Sequence, residues 1–290
     1  MADLIITISL CIAVAIAYAT AALIQARYAH LPVAQLLRIP QFWLALGLNG
    51  LGAALHVTSL AFGPLSLIQP LGVLTLVIAV PFAAATAKRK VTTLELKGMT
   101  STVVGLAGLA LIITTTGAKE TLAPAELIGL LVATVAVVSV LGFLGNRPGA
   151  STLWEAIAGG AAYAVCSALC QTVVVTTGDD GAEVLLRPIT IVAVIGIAVF
   201  AVVATLLTQR SYRNGLAAPL AVTNLVNPAT ATVIGVALLG EHLATTTVEV
   251  VLAIVCALLA GLGVSQLARA RDVVPGPTAP APREDVPARA

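Results

Sequence analysis

Nine apolar stretches of about 20 residues or more take up 206 of the 290 residues: 3–24, 41–62, 65–87, 97–116, 125–144, 152–177, 187–208, 214–239 and 244–268. A helix needs about 20 apolar residues to cross the ~30 Å hydrocarbon layer of a bilayer. In lipid every backbone polar group must be satisfied internally, so such stretches read as spanning helices. The ~10-residue alternating segments of an outer-membrane barrel are absent. Charged residues make up only 10% of the 290 and hydrophobic residues 59%, with a mean hydropathy of +1.05. A soluble domain carries roughly 25% charge. Soluble enzymes, disordered proteins and disulfide-stapled secreted domains are thereby excluded. A net charge of +2 gives no footprint for a nucleic-acid partner. The expected fold class is an all-α polytopic membrane protein. Its partners are the lipid bilayer and a small-molecule or ion substrate, with room for a homodimer and no cofactor.

The first stretch contains Ala17-Tyr18-Ala19, an A-x-A pattern, but the chain starts Met1-Ala2-Asp3 without the positive region of a secretory signal. It is expected to be a retained spanning helix. When the loops alternate across nine spans, one side receives only Lys119 and Arg187. The other receives Arg27, Arg38, Lys88, Arg89, Lys90, Lys97, Arg147, Arg210, Arg213, Arg269, Arg271, Arg283 and Arg289. Lys/Arg excess marks cytoplasmic loops. The expectation is an integral protein of a bacterial-type plasma membrane, N-terminus outside and C-terminus cytoplasmic. Leu31, Val33, Leu36 and Leu37 suit a connector lying at the membrane surface, and residues 272–290 read as a disordered Pro/Ala-rich cytoplasmic tail. Cys11, Cys166, Cys170 and Cys256 all fall inside apolar stretches, where they read as small hydrophobes.

Displacing the chain by 152 residues overlays stretches 1 to 4 on stretches 6 to 9, with Asp3 meeting Glu155, Gly63 meeting Gly215, and Lys88-Arg89-Lys90 meeting Gly240-Glu241-His242. The match is one of spacing and hydropathy rather than residue identity. One stride contains five crossings, so equivalent helices enter the membrane from opposite sides, as in the inverted repeats of many secondary transporters. The domain reading is a first repeat at 1–144 (spans 1–5), an inverted second repeat at 145–271 (spans 6–9) and the tail.

The run Leu60-Ala61-Phe62-Gly63-Pro64-Leu65-Ser66-Leu67-Ile68-Gln69-Pro70-Leu71-Gly72, followed by an apolar helix and a basic turn, resembles the third helix of drug/metabolite transporter (DMT) superfamily proteins. The resemblance is to EamA-like members and especially to the branch related to NIPA-type magnesium transporters. Gln209-Arg210-Ser211-Tyr212-Arg213-Asn214-Gly215, Asn227-Pro228 and Gly240-Glu241-His242-Leu243 fit the same pattern in the second half. The resemblance covers about residues 3–268. It implies a DMT-like inverted-repeat carrier working by alternating access, here with nine spans (4+1+4) in place of ten. The first half departs from the pattern, with Arg89 where the second half has Glu241. The first span also lacks the mid-membrane glutamate of small multidrug-resistance exporters, which argues against proton-coupled export of cationic drugs.

Ionisable groups at mid-membrane cost at least ~2.5–3.5 kcal/mol on insertion scales, so polar residues in the stretches are the first place to look for a site. His56 near the outer end of span 2 and Gln69 at a comparable depth on span 3 are expected to share a cavity. Thr75, Tyr163, Asn224 and Asn227 lie nearer the midplane, with Thr75 opposite Asn227 in the repeat. These six are the expected substrate-binding residues. Glu155 and Glu249 are the candidates for ion coupling, and no metal site is assigned. The scarcity of internal charge favours a secondary carrier for a small metabolite or a hydrophobic or zwitterionic solute. The alternatives are a NIPA-like Mg²⁺ transporter, and a non-transporting scaffold or lipid-handling partner of an envelope enzyme. No catalytic motif is present, so an enzyme is not expected.

Overall fold

The computed structural model describes residues 2–60, 74–112, 115–116, 121–238, 242–243 and 246–273. Ten α-helices are present among them: α1 (Ala2–Arg27), α2 (Val33–Leu36), α3 (Pro40–Leu60), α4 (Leu74–Thr86), α5 (Thr93–Ile112), α6 (Pro124–Gly145), α7 (Leu153–Asp180), α8 (Pro188–Ser211), α9 (Ala217–Leu238) and α10 (Thr247–Val273). Each of the nine apolar stretches carries one, and α2 lies in the connector between the first two. Its Leu36 is buried, and Trp43 Nε1 donates to Leu37 O at 3.0 Å. Short 3₁₀ turns at Ala182–Leu186 and Tyr212–Asn214 precede α8 and α9. Proline opens α6 and α8, where a missing N–H costs nothing. The Gly63-Pro64 turn, Gln69, Pro70, Gly72, Glu241 and residues 274–290 lie outside the described residues. Asp272 and Val273, read from sequence as the start of the tail, are the last turn of α10.

Five segments are long and apolar enough to cross a membrane: Ile5–Arg27, Pro124–Gly145, Leu153–Gly178, Pro188–Asn214 and Thr247–Ala270. Side-chain size is distributed as lipid requires. The inward positions are small: Ala19, Ala21, Ala45, Ala156, Ala158, Ala162, Ala164, Ala204, Ala218, Ala221 and Ala260 are all fully covered. The outward positions are large, and on α10 Val248, Val251, Leu252, Ile254, Val255, Leu258 and Leu262 are 47–67% exposed. Apolar surface on this scale is not tolerated in water but is neutral in lipid, where helices associate through close backbone approach. The chain is an integral membrane protein by this architecture.

Packing sorts the helix ends into two groups. One buried cluster joins Ala19, Ala22 and Ala29 at the end of α1, Leu76, Ala79 and Val80 of α4, Met99 near the start of α5, Tyr212 and Leu216 before α9, and Leu267 near the end of α10. Gln209 Nε2 at the end of α8 donates to Gln25 O at the end of α1 (2.8 Å). Arg27, Lys88, Arg89, Lys90, Lys97, Arg210, Arg213 and Arg269 are thus gathered at one end of the bundle. At the other end, Thr115–Thr116 (β1) pairs antiparallel with His242–Leu243 (β2), tying the exit of α5 to the exit of α9. The described chain therefore starts at one end of the bundle and finishes at the other.

The two helices that pack most closely, α5 and α10, open with the same device. Thr92 N donates to Glu95 Oε2 (2.9 Å) and Glu95 N to Thr92 Oγ1 (3.1 Å); Thr246 N donates to Glu249 Oε2 (2.6 Å) and Glu249 N to Thr246 Oγ1 (3.3 Å). These are two capping boxes, Thr92-Thr93-Leu94-Glu95 and Thr246-Thr247-Val248-Glu249, 154 residues apart. The two boxes share the pattern Thr-Thr-x-Glu, two residues away from the stride of 152 at which the apolar stretches overlay.

The first box is reinforced. The turn after α4 closes with Arg89 N on Ala84 O and Lys88 N on Ala85 O, with Lys88 in the left-handed conformation at φ 53°. That turn directs the Arg89 guanidinium onto Glu95 in a two-pronged contact, 2.7 Å at both oxygens. Burial by itself raises the Glu95 carboxyl. The Arg89 guanidinium and the Thr92 N–H and hydroxyl more than offset this, and hold it below its ordinary value of 4.5. A depressed carboxyl stabilises the fold above its unfolded pKa and loses that contribution as pH falls through the folded value. The stability difference between the native chain and Glu95→Gln should therefore be constant at neutral pH and shrink as the pH drops below 4.5. Thermal unfolding in detergent across pH 3–7 checks this, and a difference that grows on acidification would contradict it.

Candidate functional site

Every Asp, Glu, Lys and Arg in the ten helices lies within five residues of a helix end. The interior carries neutral polar groups instead, concentrated where α7 meets α8 and α9. α7 presents Gly159 and Gly160 side by side. A Cβ on Gly159 would meet Thr208 and Ala204 of α8, while one on Gly160 would lie 3.1 Å from Thr223 O and Val226 Cβ of α9. The two glycines let α7 be clasped from both sides. Thr223 Oγ1 also donates to Ala156 O across the α7–α9 contact (3.3 Å), so α7 and α9 run parallel.

Above this clasp the Tyr163 hydroxyl lies 3.1 Å from Thr205 Oγ1. Thr205 already donates to Ala201 O (2.7 Å), so the tyrosine is the donor of the pair. Asn224, between the two α9 residues that straddle Gly160, is half-buried, and its Nδ2 is fully buried without a hydrogen-bond partner among the described residues. A buried amide donor left unpaired costs about 1–3 kcal/mol. Asn227, one turn further, is half-buried. Thr75 is buried at the start of α4, which also packs on α9.

The structure thus brings Tyr163, Asn224 and Asn227 to similar heights along α7 and α9. His56 is half-buried near the end of α3, where its backbone oxygen accepts from Ser59 Oγ (2.6 Å). Its proposed partner Gln69 lies outside the described residues. Glu249 is the third residue of α10 and is held by the capping box. Glu155, the third residue of α7, is 1% exposed. Arg213 Nη1 approaches its two oxygens at 3.1 and 3.0 Å, and Arg210 Nε lies at 3.2 Å. The same arginines hold Gly145 O (3.2 Å) and Asn146 Oδ1 (2.8 Å) at the end of α6. Both carboxylates are therefore engaged at helix ends.

Sequence reasoning missed the rest of this basic end. Gln25 and Gln209 are almost fully buried, and beyond the one bond between them Gln25 Nε2, Gln209 Oε1 and Thr208 Oγ1 have no partner among the described residues. The available signal was a glutamine standing directly after each of two apolar stretches. At the opposite end, a cavity of about 670 Å³ opens between the first turns of α6 and α8 and the last turns of α7, lined by Leu127, Thr172, Thr176, Val184, Arg187 and Thr190 among others. None of the six expected substrate-binding residues lines it, nor does Glu155 or Glu249. Among the described residues no group of three or more His, Cys, Asp or Glu side chains is placed to hold a metal ion. Compared with protein-family models, with curated proteins and with solved structures, the chain matches none of them.

Proposed function

We propose that the protein is a secondary transporter that carries a small neutral, zwitterionic or hydrophobic solute by alternating access. Nine spans are arranged as four, one and four, the second four inverted, with the N-terminus outside and the basic end cytoplasmic. The observation that carries this reading is the recurrence of one packing scheme. In the first half α1 packs on α3 and α4; in the second, α7 packs on α8 and α9. The last helix of each half opens with its own Thr-Thr-x-Glu box, and these two helices, α5 and α10, run antiparallel against each other. α6 has no counterpart, which corresponds to the extra span. The resemblance to the DMT superfamily points the same way.

Within this frame the seam of Tyr163, Asn224, Asn227 and Thr75 binds solute, and the unpaired Asn224 amide donates to it. The knot of Glu155, Arg210 and Arg213 closes the cytoplasmic end. A Mg²⁺ substrate is disfavoured because it calls for one or two available carboxylates, and Glu155 and Glu249 are already engaged.

A thermal-stability screen of the detergent-solubilised protein against neutral and zwitterionic metabolites tests the reading. A ligand at 100 times its Kd adds about 2.7 kcal/mol of stability. At least one such solute should raise Tm and be taken up by proteoliposomes, and Asn224→Ala should abolish both effects while leaving the unliganded Tm near the native value. The role given to Asn224 fails if Asn224→Ala proteoliposomes accumulate the solute at the native rate, and the carrier reading fails if proteoliposomes of the native chain take up no solute. It fails equally if accessibility labelling finds both chain ends on one face of the bilayer.

A further inference from the structure

At the basic end, beside the α5–α10 seam, lies a groove of about 380 Å³ lined by Leu96, Lys97, Thr100, Ser101 and Gln266. Its chemistry changes along its length in a regular way. On α5, Lys97, Ser101 and Val104 follow at helical spacing, so one face passes from a cation through a hydroxyl to an exposed valine. On α10, Gln266, Leu262 and Leu258 do the same in the opposite chain direction, from an amide to two leucines about 60% exposed. The polar part lies at the end where basic residues gather, and the apolar part continues toward mid-bilayer. Gln266 Oε1 is fully buried and, among the described residues, accepts no hydrogen bond. Thr100 already donates to Leu96 O (2.8 Å), leaving its oxygen free to accept. The nearest acid on α5, Glu95, is neutralised by Arg89.

We infer that this groove is a binding site for a glycerophospholipid whose headgroup bears a hydrogen-bond donor. The phosphate meets the Lys97 ammonium, the Gln266 amide turns so that its Oε1 faces the groove and accepts from a headgroup hydroxyl or ammonium, and one acyl chain runs past Val104 and Leu262. A free phosphate satisfies Lys97 alone and leaves both the buried amide oxygen and the apolar path uncovered. The inference needs the membrane setting only, and stands or falls separately from the carrier reading.

Native mass spectrometry of the full chain, titrated with dioleoyl phosphatidylglycerol, phosphatidylethanolamine and phosphatidylcholine, tests it. The first two should bind with clear preference over phosphatidylcholine, whose quaternary ammonium has no N–H to donate. Lys97→Ala should weaken the preferred lipids about tenfold, as expected for one charge-assisted hydrogen bond, and Lys97→Arg should restore them. Gln266→Leu should reduce them to the phosphatidylcholine level without weakening phosphatidylcholine itself. Unchanged Tm values in detergent confirm that the variants are folded. Equal binding of all three lipids overturns the site, as does native affinity in the Lys97→Ala, Gln266→Leu double variant. Displacement of the lipid by millimolar glycerol 3-phosphate would overturn the claim that the acyl path contributes.

Discussion

Replacing Arg210 and Arg213 together by alanine should destabilise the fold more than removing the acid they share. Glu155 is 1% exposed, so without the two guanidiniums its charge stays buried and unpaired. Breaking a buried ion pair in this way costs about 3–5 kcal/mol. The arginine side chains are 42% and 30% exposed, so solvent screening places the effect toward the lower end of that range. Glu155→Gln leaves two cations that can turn into water, and should cost clearly less. The triple variant Glu155→Gln, Arg210→Ala, Arg213→Ala should recover most of the loss, because no buried charge is then left alone. Thermal unfolding of the four proteins in one detergent checks the order. A triple variant less stable than the arginine double variant would show that the knot is not electrostatic in origin.

The second large effect is expected at the α5–α10 seam. A Cβ on Gly105 would lie 2.5 Å from Ala260 N and 2.6 Å from Cys256 O; one on Gly263 would meet Thr102 N at 2.5 Å and Gly98 O at 2.6 Å. The obstructing atoms are mainly backbone, so a substituted side chain cannot be accommodated by a rotamer change. Gly105→Leu and Gly263→Val must move whole helices apart. Overpacking typically costs about 1–3 kcal/mol, and these two should reach or exceed the top of that range. Gly47→Ala and Gly129→Ala provide the contrast, since nothing lies within 4 Å of either position. They should be neutral or gain up to about 1 kcal/mol from helix propensity. Unfolding temperature and the monomer peak on size exclusion give the readout. Equal behaviour of the seam and control glycines would refute the close packing of this pair.

The stretches that became helices were legible because length and hydropathy report directly on what lipid accepts. The gathering of basic residues at one end was legible for the same reason: loop charges follow from the number of intervening helices. The polar seam was legible only in part. Tyr163, Asn224 and Asn227 stand out as polar letters in apolar helices, but the pairing of Tyr163 with Thr205 and the unpaired Asn224 amide depend on how α7, α8 and α9 meet. Glu155 and Glu249 read alike in sequence, as acids near helix starts. In the structure one is a buried partner of two arginines and the other a cap on its own first turn. Gln25 and Gln209 stand 184 residues apart, and no local pattern links them.

What the residues alone determined is which segments leave water, and at which end the cations collect. Both follow from transfer free energies, which are summed residue by residue and need no knowledge of neighbours. The tertiary structure decided which helix touches which, in what register, and which polar groups end up engaged or alone. Lipid is as good a solvent for Leu and Val as another helix, so hydropathy is silent about helix partners. That choice falls to the shape of small-residue surfaces such as Gly98, Gly105 and Gly263, and shape exists only once the helices are side by side.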